Sequence, residues 1–297
     1  MLDLHRLHLL HRFAQHGSIA ATAAAVGYTP SAVSQQLATL ERETGVALLD
    51  RTARSAELTA LGRRLARHAA DILAAVEAAE VDLAERSSRP SGTVHIAAVP
   101  SAAVALAPAL ATVRADHPDV ELVVHQSRPG TALTRLRARE IDLAIVDDHA
   151  PDPPTTYPRL DAEVLRVDPL VLVLPAGHPV ATGEGSADLA ALTEGPWLCA
   201  PTGEPSRTAT DRVLAEAGVT PTTLWEFEGL ATLATLVSQG VGIAVLPRLA
   251  ITRPLEELVA VRALPVPTSR AIVAVTRTSS RHRPAIEATL AALRAEA

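Results

Sequence analysis

Lysine is absent from this chain of 297 residues, and all 27 of its basic side chains are arginine. That bias points to a GC-rich coding sequence rather than to any physical need. Aromatic residues are almost as scarce: Phe13, Tyr28, Tyr157, Trp197, Trp225 and Phe227 are the full set. The core must therefore be made of Ala, Val and Leu, within an apolar share of 48%. A single cysteine, Cys199, excludes an internal disulfide framework and fits a reducing cytosol. No apolar run reaches the roughly 20 residues that cross a bilayer. The opening MLDLHRLHLLHRF lacks the apolar segment and small-residue cleavage site of a secretion signal. These absences predict a soluble, cytoplasmic chain with no membrane partner. Neither GxxxxGK nor GxSxG occurs, so the usual phosphate-cradling and nucleophile-elbow signatures are missing and no enzyme is indicated.

Charge is unevenly spread. Residues 1–64 carry seven Arg against five acids, or +2; the remainder carries 20 Arg against 28 acids, or −8, which together give the net −6. An acidic chain with a mildly basic head is weak support for nucleic-acid binding, so local geometry must carry that argument.

The head has such a geometry. Asp3 can cap a first helix that turns Leu4, Leu7, Leu10 and either Phe13 or Ala14 inward and stops at Gly17. Ser18 can cap a second, IAATAAAV, ended by Gly27. Thr29 and Pro30 then open a third within two residues. In PSAVSQQLATLERETG, Val33, Leu37 and Leu40 form one apolar stripe. The opposite face shows Ser31, Ser34, Gln35 and Ala38, small and uncharged until Glu41. Two helices joined by so tight a turn match a helix-turn-helix. ALLDR and SAELT around TAR predict a short hairpin carrying Arg51 and Arg54.

A longer helix is expected from Thr59 to about Ser87. Leu58, Leu61, Leu65, Ala69, Ile72, Val76, Ala79 and Leu83 step by threes and fours, a coiled-coil seam that asks for a partner chain. The linker composition ERSSRPSG argues against packing of this helix along its own C-terminal part. From Thr93 the rhythm becomes strand and helix. VHIAAV, LVVHQS and DLAIVD form a first unit, and PLVLVLP, PWLCAP, TTLWEFEG and IAVLP a second. Continuous apolar strands predict parallel sheets covered on both faces. Crossovers near 160–166 and 265–270 would leave a cleft between the units, where ligands meet helix N-termini.

The series Phe13…Gly17-Ser18…Ala23-Ala24…Ser31-Ala32-Val33-Ser34…Leu40-Glu41…Gly45…Leu48-Leu49…Arg51…Leu58-Thr59…Gly62 resembles the N-terminal signature of LysR-type transcriptional regulators. LRAREIDLAIV and LVSQGVGIAVLP match the same family's habits further on. One departure is Asp50, where the family usually has Phe. The resemblance implies an α+β and α/β multidomain chain: a winged helix-turn-helix over 1–58, a dimerisation linker helix over 59–89, and a two-lobed, periplasmic-binding-protein-like effector domain over 90–297. Lobe I would take about 93–162 and 268–297, and lobe II about 163–267. It also implies a homodimer through the linker helix, pairing further into a tetramer through the effector domains, with double-stranded DNA and a small-molecule effector as partners and no cofactor.

On that reading the third helix is small and uncharged because it enters the major groove. Gln35 suits an adenine edge, Ser31 and Ser34 reach bases or phosphate, and Ser18, Thr29 and Pro30 sit near the groove. Arg51 and Arg54 would meet phosphate or the minor groove. For the effector, the resemblance points to Ser101, Ala102 and Thr131 in the first lobe, and to Pro201, Thr202, Gly203, Glu228 and Gly229 in the second. Ser and Thr at such positions serve equally as helix caps. Arg128 and Arg207 lie near helix starts and could add charge. His5, His8 and His11 lack the partners that would complete a metal site, and Cys199 lies in an apolar strand, a core position rather than a reactive one.

Overall fold

The computed structural model describes residues 1–51, 55–84, 89–150, 156–157, 159–182, 185–192 and 195–296. Three helices open the chain: α1 (Leu4–His16), α2 (Ile19–Val26) and α3 (Pro30–Thr44). Each begins at a side-chain oxygen, since Asp3, Ser18 and Thr29 accept from the N–H groups of Arg6, Ala21 and Ala32. Each cap satisfies a donor that the first turn leaves free. Each helix ends at a glycine, Gly17, Gly27 or Gly45, with φ of 71°, 71° and 69°, where a side chain is disfavoured. Leu9, Leu10, Phe13, Ala23, Val33, Leu37 and Leu40 are at most 1% exposed and make the core of this unit. Leu4, expected inside, is 46% exposed at the helix start, and Leu9 takes the inner place.

The wing strands β1 (Leu49–Arg51) and β2 (Ala56–Leu58) pair antiparallel, and the tip with Arg54 lies outside the described residues. Glu41 Oε1 accepts from the backbone N–H of both Leu48 and Leu49 at 2.9 Å. The end of α3 thereby fixes the start of the wing, and Leu48 and Leu49 stay buried although Asp50 is exposed. Helix α4 (Ala60–Ala84) follows. A Cβ on Gly62 would lie 2.1 Å from the Leu48 carbonyl oxygen, so only glycine lets α4 cross the wing this closely.

The seam along α4 is divided, which corrects the expectation of a stripe left wholly to a partner. Leu65 and Ala66 join the winged-helix core, and Ala69 is fully buried, while Leu61 and Leu83 remain 48% and 73% exposed. The second half of α4 is tied to the chain's own effector domain through Glu77. That carboxylate accepts from Arg277 at 2.8 Å and from Ser279, and pairs with Arg139.

The effector domain runs β3 (Gly92–Ala98), α5 (Pro100–Ala105), α6 (Ala107–Asp116), β4 (Val120–Gln126), α7 (Pro129–Arg137), β5 (Leu143–Asp148), β6 (Thr156–Tyr157) and β7 (Leu160–Pro175). It continues with β8 (Pro196–Cys199), α8 (Pro205–Glu216), β9 (Thr223–Glu226), α9 (Leu230–Ser238), β10 (Ala244–Pro247), α10 (Arg253–Glu256), β11 (Val259–Ala263), β12 (Ser269–Arg277) and α11 (Pro284–Ala295). In the first lobe β3 lies parallel to β4 and β5, but β12 runs antiparallel to both β5 and β7. The sheet is therefore mixed rather than parallel. β12 enters from the second lobe, so it starts at the cleft end, opposite Asp148, and runs outward.

β7 serves both lobes. Up to Pro169 it pairs with β12; from Leu170 on it pairs with β10 and β11. The first crossing thus falls at 169–170, beyond the expected 160–166, because the strand does not break between lobes. Beyond the crossing its side chains alternate between two cores: Leu172 and Leu174 meet Trp197 and Val213, while Val173 meets Leu198, Val237 and Leu246. In the first lobe, Ile96, Ile145, Ile272 and Ile286 fill one side of the sheet and Leu136, Val146 and Val273 the other.

Candidate functional site

On the winged helix, Ser18, Thr29, Pro30, Ser31 and Gln35 are all exposed and Ser34 is half-buried. Thr29 Oγ1 and Ser31 Oγ are 3.0 Å apart and hydrogen-bonded. Arg51 donates to Ser34 Oγ at 2.9 Å and lies 3.5 Å from Glu41 Oε2. The acid nearest this face is thus occupied by the wing: Glu41 faces backbone N–H groups and Arg51. What the first half of α3 presents outward is hydroxyl and amide, free of negative charge, as a helix lying among phosphates requires.

Between the lobes lies a cavity of about 670 Å³. Four helix starts reach it: Pro100 and Ser101 of α5, Arg128 and Pro129 at α7, Glu204 and Pro205 at α8, and Gly229 and Leu230 at α9. None of the four has a side-chain cap, so their first N–H groups have no side chain to accept from them. Ser101, Arg128, Pro201, Glu228 and Gly229 come together here as expected residues of the wall. Ala102 does not: it is fully buried in the first-lobe core. Thr131 is exposed outside the cavity because α7 begins at Pro129, two residues earlier. Thr202 is bonded to Glu226, and Gly203 stays outside the wall in a turn at φ 93°. Arg207 is also turned away, bonded to Asp211 at 2.8 Å and to Glu226, and these carboxylates push its pKa up.

The residue that sequence reasoning missed is Arg270, at the second position of β12. Its side chain is fully buried beneath the cavity. Nε donates to Asp168 at 2.9 Å, and its two terminal nitrogens donate to Asp147 and to Ser101 Oγ, each at 2.8 Å. Asp168 also accepts the Leu249 N–H at 3.0 Å. Burial pushes the Asp147 carboxyl up, but the hydrogen bond from His149 and the Arg270 charge outweigh it and hold the group below its ordinary value. Ser101 accepts from Arg270, which leaves its own O–H as a donor. Across the cavity Arg128 reaches Glu204 at 3.3 Å and Glu228 at 3.4 Å, a bridge from the first lobe to the second. The one available signal for Arg270 was a charge at the head of the otherwise apolar strand SRAIVAVT.

Among the described residues no group of three His, Cys, Asp or Glu side chains is placed to hold a metal ion. Burial, reinforced by the Arg12 charge, lowers the His8 pKa to about 4. Cys199 is 2% exposed and donates to the Trp225 carbonyl at 3.5 Å. Burial raises its pKa, the opposite of what a reactive thiol needs.

Two family models match the chain. Residues 4–63 match the bacterial regulatory helix-turn-helix protein, lysR family, and residues 87–297 match the LysR substrate binding domain. The chain belongs to the LysR family. Its members are transcriptional regulators rather than enzymes, and this regulator joins a DNA-binding helix-turn-helix to an effector domain that modulates it. It is 31% identical to a probable hydrogen peroxide-inducible genes activator of Streptomyces viridosporus, over 98% of this chain and 93% of that one. It is 28% identical to the transcriptional dual regulator GltC of Bacillus subtilis, over 73% and 71%. Full-length OxyR of Pseudomonas aeruginosa, in a variant form, shares the fold with a TM-score of 0.74 at 21% identity, covering 99% of this chain and 95% of that one. Full-length BenM does so at 0.54 and 20%, covering 99% and 96%. Among the described residues no helix of this regulator is long and apolar enough to cross a membrane.

Proposed function

We propose that this regulator reads promoter DNA in the cytoplasm as a homodimer, paired further into a tetramer, and that a small polar or anionic metabolite in the interlobe cavity sets its activity. Residues up to about 58 would bind DNA, 59–89 would join two copies, and 90–297 would bind the effector. The observation that carries the ligand class is the convergence of four uncapped helix starts on one cavity. Each brings a partial positive charge and first-turn N–H groups, although α5, α7 and α8 begin with proline and lack the first of these donors. Val99, Val104, Leu230 and Leu249 add apolar wall, so a carboxylate on an apolar body fits better than a sugar phosphate. The exposed Leu61 and Leu83 of α4 support pairing of two linker helices.

The ligand reading is tested by a metabolite screen for thermal stabilisation. The expected result is a hit among small carboxylates that alters promoter binding in the native chain and is lost in Ser101→Ala, with basal DNA binding intact. A hit that Ser101→Ala binds equally well would move the site elsewhere. For DNA, Gln35→Ala is expected to cost about 1–3 kcal/mol at a preferred site and to relax discrimination at one base pair. Fluorescence anisotropy on specific and random duplexes decides this: equal losses on both mean that Gln35 reads no base.

A further inference from the structure

We propose that a second cavity, between the winged helix and the effector domain, is a site for a phosphate-type oxyanion. The cavity measures about 440 Å³ and is lined from both domains. His5, His8 and Arg12 come from α1, Tyr28 from the turn before α3, and Arg135, Arg139 and Glu140 from the end of α7 and the residues after it. Its wall therefore carries three guanidinium groups against one carboxylate.

The surrounding ion pairs do not remove that excess. Glu140 is shared by Arg12 at 2.7 Å and Arg135 at 3.2 Å. Glu77 is shared by Arg139 and Arg277. Asp142 is shared by Arg277 at 3.1 Å and Arg283 at 3.2 Å. Five guanidinium groups against three carboxylates leave two positive charges among the described residues of this network; Arg12, Arg135 and Arg139 line the cavity, and Arg277 and Arg283 lie behind it. Glu80, exposed on α4, adds only a weaker pull on Arg139. Arg12 is 4% exposed, and its buried Nε has no acceptor. Arg12 shares the Glu140 charge with Arg135, and at this depth a partly compensated guanidinium is costly. A phosphate monoester carries about −1.5 to −2 at neutral pH, close to the excess found here.

Two further observations agree. Behind burial, the Arg12 charge is the largest cause that lowers the His8 pKa, and the Arg139 charge adds to it, so the local field at the wall is positive. Arg139 holds a left-handed backbone at φ 61°, one of only two non-glycine residues to do so among those described. A glycine would adopt that conformation freely, yet the position carries an arginine that lines the cavity and pairs with Glu77.

Because each domain supplies part of the wall, an anion there favours the docked arrangement over any in which the winged helix swings away. The site is independent of the interlobe cavity, on which none of its residues borders.

The test uses the full-length chain, with inorganic phosphate and pyrophosphate titrated against sodium chloride at matched ionic strength. The expected result is a saturable rise in Tm with phosphate or pyrophosphate. In R135Q/R139G, which keeps the backbone of residue 139 unstrained, half-saturation should move up at least tenfold. Should that double variant fail to fold, R135Q alone gives the same comparison with a smaller shift. Ser101→Ala should respond as the native chain does. Saturation by pyrophosphate alone supports the site and identifies its source as a polyphosphate end, such as a nucleotide's. A rise that never saturates, a response unchanged in the variants, or one abolished by Ser101→Ala each overturns the proposal.

Discussion

Arg270→Met is expected to destabilise the effector domain by about 3–5 kcal/mol, the cost of leaving buried charge uncompensated. Methionine fills much of the same space, so the loss is mainly electrostatic. Asp168 is 1% exposed and keeps the Leu249 N–H as a partner, while Asp147 keeps His149. Neither then has a full positive charge within reach. In the native chain Asp147 sits below its ordinary value of 3.8, so its contribution is fully present above that value and fades as pH falls through the native pKa. In the variant, burial of Asp147 acts without the Arg270 charge and raises its carboxyl pKa relative to the native chain. The stability gap between the two proteins is accordingly widest at pH 8 and narrows toward pH 5, as the Asp147 carboxyl of the variant takes up its proton. Urea unfolding at both pH values measures it. A gap below about 1 kcal/mol at pH 8 would mean that water reaches the site and solvates the acids. Because Ser101 loses its donor as well, the variant should also lose the effector response at temperatures where it remains folded.

The second large effect is expected at Glu77→Gln. Glu77 is 14% exposed and meets Arg277, Arg139 and Ser279. Losing this one carboxylate leaves half-buried Arg139 beside buried Arg277, which keeps Asp142 as its one carboxylate, at a cost of about 3 kcal/mol. Here too burial alone would push the carboxyl up, but the hydrogen bonds from Arg277 and Ser279 and the nearby charges prevail and hold it below 4.5. Its share of stability is therefore complete above that value and disappears as pH falls below it, where native and variant curves should converge. Hydrogen exchange locates the consequence. Amides in the second half of α4 should lose protection, while those of α1 to α3 keep theirs. Uniform loss across the chain would show that the contact supports the whole fold rather than the joint.

Local features were readable before the structure. Asp3, Ser18 and Thr29 cap, and Gly17, Gly27 and Gly45 stop, because a cap acts within three residues and a left-handed backbone within one. The apolar stripe of α3 was visible for the same reason. Arg270 was not, because Asp168, Asp147 and Ser101 lie 102, 123 and 169 positions away. Glu77 and Arg277 are 200 apart, so the α4 seam showed its period but not what would cover its middle. Thr131 was misplaced by a smaller cause: Pro129, the second residue of RPG, starts α7 earlier than the threonine does. The mixed sheet follows from a return between lobes that no local pattern records.

Helix α7 begins at the interlobe cavity, with Arg128 and Pro129 in its wall, and ends against the winged helix. There Arg12 donates to the Ala138 carbonyl at 2.8 Å and His11 meets that of Arg137 at 3.4 Å. Nine residues at 1.5 Å each make a strut roughly 13 Å long, stiffened by its own backbone hydrogen bonds. Any ligand that pulls Arg128 away from Glu204 and Glu228 pushes on one end of that strut. The other end bears directly on α1, the helix that packs against α3, so a single nine-residue helix links the interlobe cavity to the winged helix within one subunit.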